Sequence, residues 1–246
     1  MSTITMATPA RVDPALVAQG RADLSVAFRW AARLGMNEGI DNHFSLVVPG
    51  TTDRFLLNPL GFAFAELTPD RLVVVDTEGR VVEGEHAAET TAFYIHSRIH
   101  RAKPDARCVL HTHMPYATAL GMLEGGRLEP CHQNALRFHG AVGYDPEFNG
   151  LALDEAEGDR LVAALGGHRI LFLANHGVLV VGRTVAEAFD DLYYLERACQ
   201  LQVLALSTGR PLRRVPEPIA RLTARQFDSI RHLAELHLQA LRRMLD

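Results

Sequence analysis

No stretch of about 18 uncharged apolar residues occurs in this sequence, so no membrane-spanning helix is expected. Around Arg11 and Asp13 there is no room for the apolar segment of a secretory leader. Cysteine is scarce. Cys108, Cys131 and Cys199 are odd in number and far apart, which fits neither a disulfide framework nor a paired-cysteine zinc or redox motif. A reducing cytoplasm is the expected location. A glycine-rich phosphate loop, internal repeats and a Ser/Gly/Pro-rich or charged divider are all missing, so residues 1–246 are expected to form one domain. Neither charge sign dominates: the formal net charge is −4 and both signs are dispersed, which leaves no basic stripe for nucleic acid and no charged tail. The expected partner is a small molecule, with no nucleic acid and no membrane. Histidine, in contrast, is plentiful. Several of the 12 histidines lie in apolar surroundings, and histidine is the commonest metal ligand.

Apolar residues Leu16, Val17, Leu24, Phe28 and Ala31 predict an amphipathic helix from Pro14 to about Leu34, ending at Gly35. Short strands are predicted at His43–Val48 and Phe55–Leu57 around Pro49-Gly50, and at Leu72–Val75 and Arg80–Val82 around Glu78-Gly79. Helical spacing returns from Ala88 to Arg101 and stops before Pro104. Beyond it the pattern predicts a strand at Arg107–Thr112, helices at Tyr116–Leu123 and Asp154–Leu165, and strands at Ile170–Leu173 and Val178–Val181. Long helices at Val185–Leu206 and Ile219–Leu245 complete the reading. This mixture predicts a sheet covered by helices and not a regular βαβ series.

Within Arg107–His113 side chains alternate across the strand, so Val109, His111 and His113 share one face and two imidazoles converge. Asn175-His176-Gly177 sits between two runs apolar enough to be interior strands, which presents a third imidazole from the middle of a core. Three protein ligands plus an open position is the arrangement a catalytic metal site needs. Glu89 opens a helix that feeds directly into the metal strand, with Phe93, His96 and His100 following on the same face, so its end can reach the His111/His113 pocket.

These segments resemble the class II aldolase/adducin family: Gly39-Ile-Asp-Asn-His-Phe-Ser45, Asn58-Pro-Leu-Gly61, Ala88-Glu89 with its helix, His111-Thr-His113, and Asn175-His-Gly177 with Val185–Gln202. The resemblance spans roughly residues 20–210, and the chain looks like the family's bacterial adducin-related branch. It implies an α/β fold, an α/β/α sandwich with a mostly antiparallel central sheet. It implies a divalent ion on His111, His113 and His176, zinc foremost, with manganese, iron and cobalt also suiting such donors. Glu89 becomes the fourth ligand or acid/base group, and Asn42, His43, Gly61, His132 and Gln133 the substrate-binding positions. The assembly implied is a cyclic homotetramer with sites at subunit interfaces. The implied chemistry is cleavage of a C–C bond next to a carbonyl through a metal-stabilised enolate, with Glu89, once displaced from the metal by substrate, moving the proton at a pKa raised by partial desolvation.

The pattern also departs from the family's sugar-phosphate enzymes. Ala87 and Ala88 stand where those enzymes have serines that help hold phosphate, and Asn42-His43 replaces their Gly-Asn pair. Gln133 replaces a tyrosine, no tyrosine follows Tyr194, and Leu136 stands where the epimerase has an acidic partner. The substrate is therefore expected to be a non-phosphorylated hydroxy, keto or hydroxyaromatic acid, cleaved by an aldolase- or decarboxylase-type lyase. A cationic His43, His132, Arg137 or His139 is expected to hold its carboxylate. The alternatives are a non-catalytic adducin-like interaction domain and a sugar-phosphate aldolase or epimerase.

Overall fold

The computed structural model describes residues 12–151 and 154–245; Arg11 and the segment before it lie outside the described residues. Helix α1 (Pro14–Arg33) starts where the Asp13 carboxylate accepts the Ala15 amide and Pro14 supplies a ready-made helical φ. It stops at Gly35, whose φ of +64° is the left-handed value glycine tolerates. Strands β1 (His43–Val47), β2 (Arg54–Leu57), β3 (Val73–Asp76) and β4 (Val81–Glu83) follow as a meander. Helix α2 (Thr90–Ala102) leads into strand β5 (Cys108–Thr112), then helix α3 (Pro115–Gly121) and strand β6 (Val142–Asp145). Helix α4 (Glu155–Leu165) connects to strands β7 (Ile170–Leu173) and β8 (Gly177–Gly182). Helices α5 (Val185–Leu206), α6 (Glu217–Ser229) and α7 (Leu233–Arg243) end the described chain.

The eight strands form one sheet in the order β4-β3-β2-β1-β5-β8-β7-β6, antiparallel throughout except for the β6–β7 pair. The expected α/β class and largely antiparallel sheet are both present. Alternation along the strands divides the core in two. Phe44, Leu46, Cys108, Leu110, Val178 and Val180 pack with α1, α5 and α7, and Phe28 stacks on Phe44 at 4.8 Å with Phe64 edge-on at 4.6 Å. On the other face Val109, Leu171, Leu179 and Val181 pack with Ile95 and Ile99 of α2 and Leu161 and Leu165 of α4. His43, Ser45 and His111 have the odd-numbered parity of this second face, so α2 lies over them.

Two sequence expectations need correction. The helix expected over Ile219–Leu245 is broken into α6 and α7 by a turn at 230–232. No glycine or proline marks it; Arg231 turns in to the nearly inaccessible Asp191 carboxylate at 2.7 and 3.2 Å, a tertiary ion pair invisible to local periodicity. Strand β6 was not anticipated, because Gly143 interrupts its four residues and Pro146 follows it. Its parallel pairing with β7 through α4 makes a single βαβ unit. Among the described residues no helix is long and apolar enough to cross a membrane.

Beneath α2, His100 is enclosed: its ring stacks on Phe55 at 5.0 Å, its Nδ1 donates to the Ala106 carbonyl at 2.6 Å, and burial pulls its pKa from 6.5 to about 4. The unfolded ring titrates near 6.5 and the folded one near 4, so between those values the unfolded chain holds more protons. Stability of the metal-free protein therefore falls as pH drops through that window, by up to about 3 kcal/mol from this residue. Urea denaturation from pH 7 to pH 4 should show that slope, and His100→Asn should flatten it.

Candidate active site

The metal-ligand candidates come together. Donor nitrogens of His111, His113 and His176 all lie within 4.8 Å of one another, and the ring centroids are 4.8–5.0 Å apart. Each ring is held by a different device. His111 donates from Nδ1 to the Val178 carbonyl of the adjacent strand at 3.0 Å. His113, just past the end of β5, donates from Nδ1 to the Glu38 carboxylate at 2.8 Å. His176 sits on the tight turn between β7 and β8, where Asn175 adopts a left-handed φ of +56°. Gly177 is needed next, since a Cβ there would lie 2.5 Å from the Thr112 carbonyl and 2.9 Å from the His113 ring.

This donor set fits a divalent cation on a specific count. A carbonyl and a carboxylate both accept, so both Nδ1 atoms carry protons and both Nε2 atoms are bare in the neutral rings. Yet the Nε2 atoms of His111 and His113 face each other at 3.2 Å. A proton shared between them would make a ring cationic, while burial drives the His111 pKa well below 6.5, further lowered by His43, His176 and His113. Two opposed lone pairs at that distance are relieved by a cation that both can ligate.

Around the triad, His43 faces His111 directly across the β1–β5 ladder, with rings 4.8 Å apart. It is 2 % exposed, and burial lowers its pKa to about 4 against the opposing pull of Glu89. The expected cationic His43 is thus corrected: the ring is neutral, because desolvation outweighs the single nearby carboxylate. Glu89 caps α2, its carboxylate accepting the Thr91 hydroxyl and the Ala92 amide, the latter at 2.6 Å. Burial pushes its pKa up, but the Thr91 and Ala92 hydrogen bonds and His43 outweigh that, and the net shift is down. A raised value for Glu89 is therefore not a property of the resting protein.

Asn42 is fully buried, and its Oδ1 accepts the Glu38 amide at 2.8 Å and the His113 amide at 3.3 Å, while its Nδ2 has no partner. It positions His113 and that residue's carboxylate partner. Gly61, at φ +85°, closes the Asn58–Gly61 loop, which hydrogen-bonds to the approach to Glu89 through Leu60 N to Ala87 O at 2.8 Å. Ala87 and Ala88 place backbone there and no hydroxyl. Among the described residues no hydrogen bond or ring contact links His132 or Gln133 to the three histidines; His132 accepts the Asn134 amide and Gln133 is exposed. Arg137 and His139 are engaged elsewhere: Arg137 lies between the Tyr194 and Phe227 rings at 3.7 and 4.4 Å and pairs with Asp190, and His139 meets Glu217 at 3.1 Å. Sequence reasoning missed Glu38, whose role depends on a contact 75 residues away, and Phe148, whose ring lies 6.1 Å from His176.

Residues 22–203 match the family described as Class II Aldolase and Adducin N-terminal domain. The chain belongs to that family. The class II aldolase/adducin chain is 36% identical to Decarboxylase NovR of Streptomyces niveus, over 83% of this chain and 76% of that protein. It is 37% identical to human Beta-adducin over 77% of this chain, but only 26% of that protein. An aldolase II superfamily protein from Pseudomonas syringae superposes with a TM-score of 0.88 at 36% identity, covering 96% of this chain and 94% of that one. L-fuculose 1-phosphate aldolase from Glaciozyma antarctica gives a TM-score of 0.84 at 27% identity, covering 99% and 94%. The class II aldolase fold and the membership expected from the sequence are both shown.

Proposed function

We propose that this class II aldolase-family chain is a metal-dependent carbon–carbon lyase of the aldolase or decarboxylase type, acting on a non-phosphorylated hydroxy, keto or hydroxyaromatic acid in the cytoplasm. The observation that carries the reading is the pair of bare Nε2 atoms of His111 and His113 beside His176. These three residues would hold the ion, zinc foremost, with manganese, iron or cobalt compatible with the same donors. When bound, the ion supplies positive charge that offsets the negative charge developing on a substrate oxygen as the C–C bond breaks. Glu38 and the Val178 carbonyl fix two of the rings, and Asn42 holds His113 through its amide. Glu89, ionised and at the mouth of α2, would take the hydroxyl proton released in an aldol cleavage and return it to the carbanion; in a decarboxylation, where C–C cleavage releases no proton, it would relay one from solvent to that carbanion.

The substrate class rests on donors. A phosphate with nearly two charges needs several hydroxyl or amide donors, and Ala87 and Ala88 present none from their side chains. The relative named a decarboxylase supports release of CO₂ in place of an aldehyde. The zinc-loaded protein should turn over members of a panel of α-keto, β-hydroxy and hydroxyaromatic acids, followed by CO₂ and aldehyde release. Fuculose-1-phosphate and ribulose-5-phosphate should be poor; cleavage of either at ~10⁴ M⁻¹s⁻¹ or better would refute the substrate class. The likeness to an L-fuculose 1-phosphate aldolase makes that comparison necessary. Beta-adducin supports a second reading, a non-catalytic interaction domain, which predicts no turnover of any member of the panel.

The assembly proposed is a cyclic homotetramer, in which His132 and Gln133 complete a neighbouring copy's site. Leu201 and Leu204 of α5, Ile219 and Leu222 of α6, and Leu236 of α7 are exposed apolar residues that such an interface would cover. Light scattering at micromolar concentration should give four chain masses, and a monomer would remove this part of the proposal.

A further inference from the structure

Between the sheet and α2 runs a chain of hydrogen bonds in which every atom's role is determined from one end. The Ala106 carbonyl can only accept, so the proton between it and His100 Nδ1, 2.6 Å away, sits on His100. That ring is buried and neutral, which leaves its Nε2 bare to accept the Ser45 hydroxyl at 2.7 Å. Having used its only proton, Ser45 Oγ must accept from His96 Nδ1 at 2.6 Å. His96 Nε2 is then bare and accepts from His43 Nδ1 at 2.8 Å. All four side chains are nearly inaccessible: Ser45 0%, His43 and His96 2%, His100 6%. The geometry arises simply, from two strand positions two residues apart meeting two helix positions one turn apart.

At the far end stands His43, its ring beside His111, with one polar atom left. Among the described residues its side-chain hydrogen bond is the one through Nδ1 to His96, no protein donor meets its Nε2, and Glu89, ionised, can only accept. A substrate carboxylate or carbonyl oxygen would set lone pair against lone pair there; a hydroxyl would not. We propose that Ala106, His100, Ser45 and His96 form a one-way hydrogen-bond chain holding His43 in its Nδ1–H form, so that its bare Nε2 accepts a hydrogen bond from a hydroxyl of the substrate. His96, Ser45 and His100 are positioning residues acting through His43, and the substrate half of this assignment rests on the reading of the triad as a substrate-binding centre. Neutral buried groups linked in this way polarise one another in a common direction, which strengthens the final acceptor.

Ring-nitrogen NMR of isotope-labelled histidine reads the tautomers without any turnover. Wild-type protein should show His43, His96 and His100 each protonated on Nδ1 alone. Ser45→Ala should scramble His43 and His96 between tautomers, and Ser45→Thr, which keeps the hydroxyl, should restore them. Should Ser45→Ala not fold, the wild-type spectrum still decides: a proton on His43 Nε2 overturns the proposal. With zinc-loaded protein, glycolate should bind more tightly than acetate, and His43→Phe should cut that preference about tenfold; an undiminished preference overturns the substrate half. A wild-type protein that shows the expected tautomers but binds no zinc supports the chain and removes the metal reading, so the two failures are distinguishable.

Discussion

Replacing His176 with alanine is expected to lower affinity for zinc by more than about 100-fold, since even the partners behind metal-bound histidines account for 10–100-fold. Turnover should fall with it, and no more than trace metal should survive dialysis. The physical reason is that two imidazoles leave an open, weakly held ion, whereas three close around it and leave one position for substrate. The fold should survive. His176 projects from the turn between β7 and β8, its amide donating to the Leu173 carbonyl at 3.2 Å, and its side chain fills no part of either apolar cluster. Metal content by mass spectrometry beside far-ultraviolet circular dichroism separates loss of the ion from loss of the fold. A folded variant with full occupancy would remove His176 from the ligand set.

Glu89→Gln is expected to retain metal and lose turnover by roughly 10²–10⁴-fold, the range typical of a positioned acid/base group. Glu89 lies outside the cluster of three mutually close histidines, so the variant is expected to keep its metal. An amide oxygen can still accept the Ala92 amide, so the start of α2 is preserved, while the ability to take a proton is gone. Glu89 is ionised in the resting protein, its pKa held down by the Thr91 and Ala92 hydrogen bonds, so the resting group is able to accept a proton and has none to donate. Steady-state kinetics on whichever acid the wild type turns over, with zinc measured in the same samples, is the check. Unchanged kcat with metal bound would show that the proton moves elsewhere.

Much of the fold was legible because its signals are local. Alternation in Arg107–His113 and helical spacing in Ala88–Arg101 each depend on residues close in sequence, and both elements stand where expected. His111 and His113 were legible for the same reason, and His176 because a polar tip between two apolar runs has few structural uses. What escaped depended on contacts between distant segments. Arg231 breaks the final helix by reaching Asp191, Glu38 reaches His113 from another part of the chain, and β6 exists because β7 pairs with it. Protonation was overestimated at both His43 and Glu89, for one reason. Charge at His43 and Glu89 is set by how each is enclosed: desolvation of the buried His43 ring outweighs what would reward a second proton, whereas Glu89 has two donors that reward ionisation. The same enclosure joins Ser45 to His96 and His100, residues whose shared spacing is visible in the sequence but whose hydrogen bonds are not.

The central claim is that His111 and His113 through Nε2, together with a ring nitrogen of His176, hold one divalent ion, and X-ray absorption on the zinc-loaded protein examines it directly. The expected spectrum has three imidazole nitrogens at about 2.0–2.1 Å and the remaining coordination from oxygen. A first shell with fewer than three imidazoles, or the same spectrum after His111 is changed to alanine, would contradict it.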